Sequence, residues 1–351
     1  MHPTLHTALC DLCGIRVPIV QTGMGWVAGP RLAAATANAG GLGILAAGTM
    51  DYEQLRAAIA ETRDRTDAPF GVNLRSDAPD AAERCELLIR EGVRVASFAL
   101  APDPRLIERL KSAGVVVMPS VGAKRHAEKV VAWGADAVLV QGGEGGGHTG
   151  PVPTSLLLPQ VVDTVDVPVV AAGGFFDGRG LVAALAYGAA GIAMGTRFLL
   201  TQDSPVPAAV KDVYRSKAVT DTLVTTQVDG VPHRVLRTDF TERLHRAGPV
   251  IGLPRALRNA ARFRRLSGLR WRDLLREGRA MRTAQELTWS QVLMAANTPM
   301  LLKAAMVDGR PDLGVMSSGQ VVGLLDDLPT VAELIDRILE EAEATLKRLG
   351  A

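Results

Sequence analysis

The chain has 351 residues, of which 47% are hydrophobic and 22% are charged, and this composition excludes disordered and low-complexity proteins. No apolar run approaches the roughly 20 residues that cross a bilayer, and the N-terminus lacks a secretory pattern. The formal net charge of +2 hides a basic segment at 251–282, which contains ten arginines and two acidic residues. We therefore expect a cytoplasmic globular protein with one locally basic region.

Three cysteines in a chain of this size are typical of a reducing compartment. Two of them, Cys10 and Cys13, form a Cys-x-x-Cys pair with no second such pair or histidine pair nearby. This isolation favours a packing role at the N-terminus, with a metal or redox role as the alternative.

Short apolar runs alternate with amphipathic stretches over the first 200 residues, which predicts strands that alternate with helices. The predicted strands are Pro18–Gly23, Leu42–Ala46, Phe70–Leu74, Val95–Leu100, Val115–Val121, Ala137–Gly142, Pro168–Gly174 and Gly191–Leu199. The predicted helices include Tyr52–Arg63, Ala81–Glu91, Pro104–Ala113, Ala123–Ala132 and Gly180–Tyr187. Eight strand-helix repeats with continuously apolar strands predict an α/β fold of the (β/α)8 TIM-barrel type. A doubly wound sheet is the alternative, but its glycine fingerprint would follow the first strand.

The alternation ends near residue 218. One further strand is predicted at Thr222–Gln227, and Pro254–Thr283 has the pattern of an arginine-rich helical segment. The stretch Pro329–Gly350 has a helical period and basic residues at its end, so it predicts the last barrel helix. The predicted division is a barrel of residues 1–217 and 300–351 with an inserted, mainly helical cap domain of residues 218–299.

Glycine-rich loops follow the seventh and eighth predicted strands. Gly173 and Gly174 end the seventh strand, and Gly195 and Thr196 lie in the eighth. In (β/α)8 barrels a phosphate commonly binds beyond these two strands, and a helix from Gly180 would add its N-terminal dipole. We therefore expect a phosphate site here, with ordinary tight turns as the alternative.

The loop after the sixth predicted strand carries a histidine among five glycines at 143–150. Its backbone could lie flat against a planar ring, and the amide of Gln141 precedes it. His148 would stand at the mouth of the barrel, where an imidazole suits proton abstraction. We expect His148 to be the catalytic base, with a structural role as the alternative.

Two further strand ends carry candidate groups. The turn from Gln21 to Gly25 could lay backbone amides along the edge of a flavin, and Asn73 ends the third strand. Each of these features alone is also typical of an ordinary turn.

In combination, the motifs QTGMG, FGVNL, QGGEGGGHTG, AAGGFFDGRG and AMGTRFL resemble the nitronate monooxygenase (2-nitropropane dioxygenase) family of FMN-dependent barrels over residues 15–200. The resemblance implies FMN as cofactor, His148 as the base and no metal. The implied cofactor residues are Thr22, Gly23, Met24, Asn73, Gln141, Gly146, Gly147, Gly173, Gly174, Met194, Gly195 and Thr196.

The chain departs from the usual family pattern where Thr149 follows the histidine and at Trp26. With TWSQVLMAANTPM and SGQVVGLLDDLP it resembles an actinobacterial branch that acts on CoA thioesters in steroid C- and D-ring breakdown. Arginines would then face the phosphates of coenzyme A, with a solvated helix face or a homodimer contact as alternatives. The predicted substrate contacts are Trp26, Thr149, Arg262 and Arg265.

The leading functional hypothesis is the FMN-dependent dehydrogenation of a keto acyl-CoA, in which His148 removes an acidic alpha proton. The alternatives are oxidation of an alkyl nitronate with oxygen, NADH-dependent reduction of an enoyl thioester, and non-catalytic flavin binding. A small-molecule substrate such as a CoA thioester is the expected partner, and nucleic acid and membrane are not expected.

Overall fold

Eight parallel strands form a closed barrel in the computed structural model, which describes residues 2–246 and 298–350. The barrel strands are β1 (Ile19–Gln21), β2 (Leu42–Ala46), β3 (Phe70–Leu74), β4 (Val95–Phe98), β5 (Val116–Val121), β6 (Val138–Gln141), β8 (Val169–Ala172) and β9 (Gly191–Met194). Each pairs in parallel with its neighbour, and β9 pairs with β1 to close the ring. The predicted (β/α)8 barrel and its eight strands are confirmed.

Helices surround the barrel and connect its strands. They are α1 (Ala8–Cys13), α2 (Pro30–Asn38), α3 (Tyr52–Arg65), α4 (Ala81–Arg90), α5 (Pro104–Ser112), α6 (Lys124–Ala132), α7 (Thr154–Val162), α8 (Gly178–Ala186), α9 (Thr196–Leu199), α10 (Ala208–Arg215), α11 (Asp239–Arg246), α12 (Thr298–Met306) and α13 (Val331–Leu349). Within the described ranges, every helix is too short or too polar to cross a bilayer.

The C-terminal helix α13 completes the outer layer of the barrel. It begins with a capping box, in which Thr330 accepts a hydrogen bond from the backbone of Glu333 and the Glu333 side chain accepts from Thr330 N. Its buried face packs between α8 and α2, the helices that follow the seventh and first barrel strands. α13 is therefore the last helix of the ring, as its sequence pattern predicts.

The N-terminal helix α1 closes one end of the barrel. Leu9 lies beside Gly191, the first residue of β9, and the side chains of α1 join the apolar interior of the strands. Cys10 and Cys13 are both buried there, and burial raises the pKa of both thiols, that of Cys13 to about 12. The thiols therefore stay protonated and pack as small apolar groups. The loops that follow the barrel strands lie at the opposite end, where the strands have their C-terminal residues.

The predicted eighth strand is too long. It ends at Met194, and α9 begins at Thr196, where the Leu199 amide donates to Gly195 O at 2.9 Å. Phe198 is buried in this helical turn, so the apolar run continues although the strand does not. A short apolar run does not distinguish a buried strand from a buried helical turn, which is the reason for the error.

A small antiparallel sheet lies outside the barrel. It contains β7 (Gly147–His148), from the loop after β6, and the hairpin of β10 (Thr222–Thr225) and β11 (His233–Leu236). β11 pairs with both β10 and β7, so the first part of the predicted insertion is joined to a barrel loop. The predicted arginine-rich segment lies outside the described residues, and the domain boundaries stay a prediction.

Gly43 provides a test of the packing of α2 on the barrel. A Cβ atom placed on Gly43 would lie 2.0 Å from the carbonyl oxygen of Ala33, a backbone atom of α2. Because a backbone cannot move aside cheaply, Gly43→Ala is expected to lower the free energy of unfolding by about 1 to 3 kcal/mol or more. Denaturant unfolding followed by circular dichroism measures this change.

The matched control is Gly122→Ala at the end of β5. Its nearest contact would be 3.9 Å away, at the carbonyl oxygen of Gln141. The change should stay within about 0.5 kcal/mol. Equal effects of the two substitutions would contradict the predicted close contact at Gly43.

Candidate active site

Predicted cofactor residues from the first, third and eighth strands lie together at the open end of the barrel. A Cβ atom placed on Gly23 would lie 2.5 Å from Cβ of Asn73. One placed on Gly195 would lie 3.3 Å from Oγ1 of Thr22 and 3.4 Å from Sδ of Met24. The missing side chains of these glycines thus allow three strand ends to meet.

The loops after the sixth and seventh barrel strands also touch. Gly173 and Gly174 have φ values of +90° and +89°, in the left-handed region that favours glycine. The carbonyl of Gly173 accepts a hydrogen bond from the Thr154 hydroxyl at 2.9 Å. A Cβ atom on Gly173 would lie 3.1 Å from the carbonyl oxygen of Gly142, so the two loops are in close contact. The predicted glycines of these two loops therefore lie side by side along the edge of the open end of the barrel.

A segment near residue 318 forms a further wall that the sequence reasoning did not assign to the site. The amide of Gly319 donates to Oγ1 of Thr196 at 3.0 Å. A Cβ atom on Gly146 would lie 2.5 Å from the carbonyl carbon of Ser318 and 2.6 Å from the nitrogen of Gly319. The segment therefore bridges the loops after β6 and β9, and we call residues 144–146, 173–174, 195–196 and 318–319 the glycine rim.

The helix α8 begins two residues earlier than predicted, and carboxylates cap its first turn. It begins at Gly178, whose amide donates to Glu341 Oε2 at 2.9 Å. The amide of Gly180 donates to Asp177 Oδ1 at 2.8 Å. Carboxylates therefore accept hydrogen bonds from two amides of the first turn, and assistance of a bound phosphate by the dipole of this helix stays a prediction. The predicted phosphate contacts of the glycine rim itself do not depend on this helix.

Two glutamine side chains lie at the ends of barrel strands next to the predicted cofactor residues. Gln21, at the end of β1, is fully buried, and its Nε2 donates to the backbone oxygens of Thr22 and Ile44. Its Oε1 has no hydrogen-bond partner within the described part of the chain. Gln141 donates from Nε2 to the carbonyl of His148 at 2.7 Å, which leaves its Oε1 as an acceptor. A flavin that lies on the glycine rim could supply an N–H donor to Oε1 of Gln141, whereas Oε1 of Gln21 is enclosed by protein.

His148 lies on β7, beside the glycine rim, and its side chain is 62% exposed. Its Nε2 lies 2.6 Å from Oδ2 of Asp229, a side chain that is only 6% exposed. The ring of His233 stands edge-on to the ring of His148, with 4.8 Å between their centres. The predicted base is therefore paired with a buried carboxylate in the turn of the β10–β11 hairpin.

The charge state of Asp229 follows from its partners. Burial alone would raise its pKa, but the hydrogen bond with His148 and the nearby His233 ring outweigh burial, and the net pKa is well below its usual value. Burial lowers the pKa of His233 despite the nearby carboxylate, so His233 is neutral. Asp229 is therefore an ionised carboxylate beside a neutral buried imidazole.

The three groups also lie within the reach of one metal ion, since their ligand atoms are within 4.8 Å of one another. One hydrogen bond of the cluster joins Nε2 of His148 to Oδ2 of Asp229, and another joins Nε2 of His233 to Oγ of Ser317 at 2.8 Å. Nδ1 of His233 lies 3.5 Å from Oδ2 of Asp229 and makes no hydrogen bond within the described part of the chain.

Asp229, His233 and Ser317 had not been singled out from the sequence. Asp229 is 81 positions from His148, in a DGVPH stretch that has the ordinary pattern of a turn. No local feature of either segment indicates that they meet, because their contact depends on the pairing of β7 with β11.

The predicted substrate contacts have different surroundings. Trp26 has a φ of 65° and donates from Nε1 to the carbonyl of Pro299 at 3.1 Å, so it joins the first loop to α12. The hydroxyl of Thr149 donates to the carbonyls of its own loop, at 3.2 Å to Gly142. Arg262 and Arg265 lie outside the described residues. Their substrate roles stay predictions.

Comparison with known proteins identifies the family to which this barrel belongs. A profile described as nitronate monooxygenase matches residues 6–341. The chain belongs to the nitronate monooxygenase family. The resemblance seen in the motifs is confirmed, and with it membership of a group of flavin-dependent oxidoreductases.

Within the nitronate monooxygenase family, two similar relatives carry a more specific name. Proteins of Rhodococcus jostii and Mycobacterium tuberculosis are each 63% identical to this chain and cover 99% of both sequences. Both are called (3aS,4S,5R,7aS)-5-hydroxy-7a-methyl-1-oxo-octahydro-1H-indene-4-carboxyl-CoA dehydrogenase. Among solved structures, FabK from Thermotoga maritima is 35% identical, with a TM-score of 0.79 and 98% of each chain covered.

Proposed function

We propose that this protein is an FMN-dependent dehydrogenase of a bicyclic acyl-CoA, like its two relatives from Rhodococcus jostii and Mycobacterium tuberculosis. The observation that carries the proposal is the pairing of His148 with the buried Asp229 beside the glycine rim, at 2.6 Å. An exposed imidazole oriented by a carboxylate is suited to accept a proton from carbon. Identity of 63% over 348 residues supports a substrate of the same class.

The proposed reaction removes two hydrogens from neighbouring carbons. His148 accepts a proton from the carbon next to the thioester carbonyl, which acidifies that C–H bond. The electron pair of the broken bond forms a carbon–carbon double bond as the adjacent carbon loses a hydride. A bound FMN supplies the acceptor for that hydride. The product is an unsaturated thioester, and the proton remains on His148 until solvent removes it.

We assign the binding of FMN to the predicted residues around the glycine rim. Gly174, Gly195 and Thr196 would approach the phosphate, and Asn73 and Gln141 would bind the ring. The arrangement of their loops supports this assignment, since a side chain on Gly146 or Gly195 would narrow the rim. The proposed CoA contacts of Arg262 and Arg265 rest on the basic composition of their segment.

Anaerobic mixing with the thioester tests the proposal. One equivalent of the 5-hydroxy-indene-carboxyl-CoA should bleach the visible absorbance of the flavin. The free acid without coenzyme A is the control, because its carboxylate does not acidify the neighbouring C–H bond, and it should leave the spectrum unchanged. A spectrum that stays oxidised with the thioester would rule out this function.

The family match and the likeness to FabK each favour an alternative. A nitronate monooxygenase would consume oxygen with propionate 3-nitronate, and an enoyl-thioester reductase would oxidise NADH only when an unsaturated thioester is present. We expect neither activity to approach the rate with the saturated acyl-CoA. Oxygen uptake and NADH absorbance, measured on the same preparation, distinguish the three functions.

A further inference from the structure

We propose that Asp229 is the positioning residue of the base: it holds His148 with the proton on Nε2 and the free electron pair on Nδ1. The inference rests on the proposed role of His148 and extends it to the β10–β11 hairpin. The decisive observation is the 2.6 Å contact between Nε2 of an exposed histidine and the oxygen of a carboxylate that is 6% exposed.

The direction of the hydrogen bond follows from the chemistry of the two groups. An ionised carboxylate has only acceptor sites, so a neutral imidazole that contacts it must carry its proton on the contacting nitrogen. Nε2 of His148 is therefore the donor, and Nδ1 keeps its electron pair. Nδ1 has no hydrogen-bond partner within residues 2–246 and 298–350 and belongs to a mostly exposed side chain. It is the nitrogen that can accept a proton from a substrate.

Two further groups lie close to the carboxylate of Asp229. Its Oδ1 lies 3.4 Å from the amide of Val231, and its Oδ2 faces Nδ1 of His233 at 3.5 Å. If Ser317 donates its hydroxyl proton to Nε2 of His233, Nδ1 of His233 carries a proton that points toward the carboxylate. In the row Ser317–His233–Asp229–His148, the proton of His233 then points at the carboxylate across 3.5 Å, a contact that is electrostatic and not a hydrogen bond. Tyr214 fixes the outer end of this row, since its hydroxyl donates to the carbonyl of Ser317 at 2.7 Å.

The charged and titratable groups around His148 are few. On the hairpin they are Asp229, His233 and Arg234, whose guanidinium donates to the carbonyl of Gly143 at 2.9 Å. On the histidine's own loop there is Glu144, which accepts hydrogen bonds from Thr154 and points to the start of α7. Asp229 is the group among these that contacts the imidazole nitrogen. Asp229 is therefore the residue that orients the base.

Asp229→Asn should reverse the tautomer of His148. The backbone amide of Val231 fixes an oxygen at the Oδ1 position, so the amide nitrogen of the new side chain takes the Oδ2 position and faces Nε2 of His148. His233, whose Nδ1 faces the same position, then carries its proton on Nε2 and donates it to Ser317. Nε2 must then accept, the imidazole proton moves to Nδ1, and the free electron pair no longer faces the substrate. We expect kcat with the acyl-CoA to fall about 100-fold, with KM changed less than about threefold.

The tautomer itself is read without any substrate. In protein labelled with 15N-histidine, long-range 1H–15N spectra distinguish protonated Nδ1 from protonated Nε2, and His148→Gln assigns the signal. We expect Nε2–H for His148 in the native protein and Nδ1–H in Asp229→Asn. A native Nδ1–H tautomer, or unchanged kcat and tautomer in Asp229→Asn, would overturn the proposal. The native spectrum decides even if the variant does not fold.

Asp221→Asn is the matched control, because this carboxylate binds the amide of Ala218 at the base of the same hairpin, away from His148. Its kcat and its His148 signal should equal those of the native protein. The spectra also separate this inference from the proposed function. If the acyl-CoA fails to bleach the flavin but the spectra behave as expected, the substrate assignment alone is wrong.

Discussion

His148→Gln is expected to lower kcat with the acyl-CoA by about 100- to 10,000-fold, the range in which a general base contributes. Glutamine is chosen because its amide nitrogen can still donate to Asp229, so the buried carboxylate keeps a partner while the base is removed. The 62% exposure of the His148 side chain means that no core packing is lost. Stopped-flow reduction of the flavin measures the chemical step directly.

The matched control for this substitution is His126→Gln. His126 is an exposed histidine in α6, and no role in the site is assigned to it. This variant should turn over at the native rate with the native flavin content. Full turnover by His148→Gln, with flavin bound, would show that another group removes the proton.

Gly146→Ala is expected to weaken the binding of FMN at least about tenfold and to lower the free energy of unfolding by about 1 to 3 kcal/mol. The new methyl group would lie 2.5 Å from the carbonyl carbon of Ser318 and 2.6 Å from the amide nitrogen of Gly319. These are backbone atoms, so the segment must move away, and the 3.0 Å hydrogen bond from Gly319 to Thr196 is strained. Titration of the apoprotein with FMN, followed by flavin fluorescence, measures the affinity.

Gly150→Ala, in the same loop, serves as the comparison. Its new methyl group would lie 3.5 Å from the carbonyl oxygen of Gly122, an ordinary contact distance. FMN affinity and stability should both stay near the native values. If Gly146→Ala binds FMN as tightly as Gly150→Ala does, the glycine rim does not hold the cofactor.

Predictions from the sequence were wrong where one local sequence pattern is compatible with two different local structures. The apolar run from Gly191 to Leu199 was predicted as one strand, yet it contains a strand and a helical turn separated at Gly195. Likewise the helix predicted to begin at Gly180 begins at Gly178, where Asp177 caps it. In both cases the hydrogen-bond partners of the backbone decide the outcome, and composition alone does not reveal those partners.

By itself the sequence predicted the barrel, because eight continuously apolar runs separated by amphipathic helices are typical of parallel strands buried on both faces, and its glycine loops follow the sixth, seventh and eighth of these runs. It also placed His148 in a loop at the end of one such strand. Only the tertiary structure brought Asp229, His233 and Ser317 to that histidine. Their contact depends on antiparallel pairing between β7 and β11, segments more than 80 positions apart, as the 81-residue separation of the hydrogen-bonded pair shows. Side chains that meet through such pairing leave no local periodicity in the chain, so the partner of the base becomes visible only when the strands are assembled.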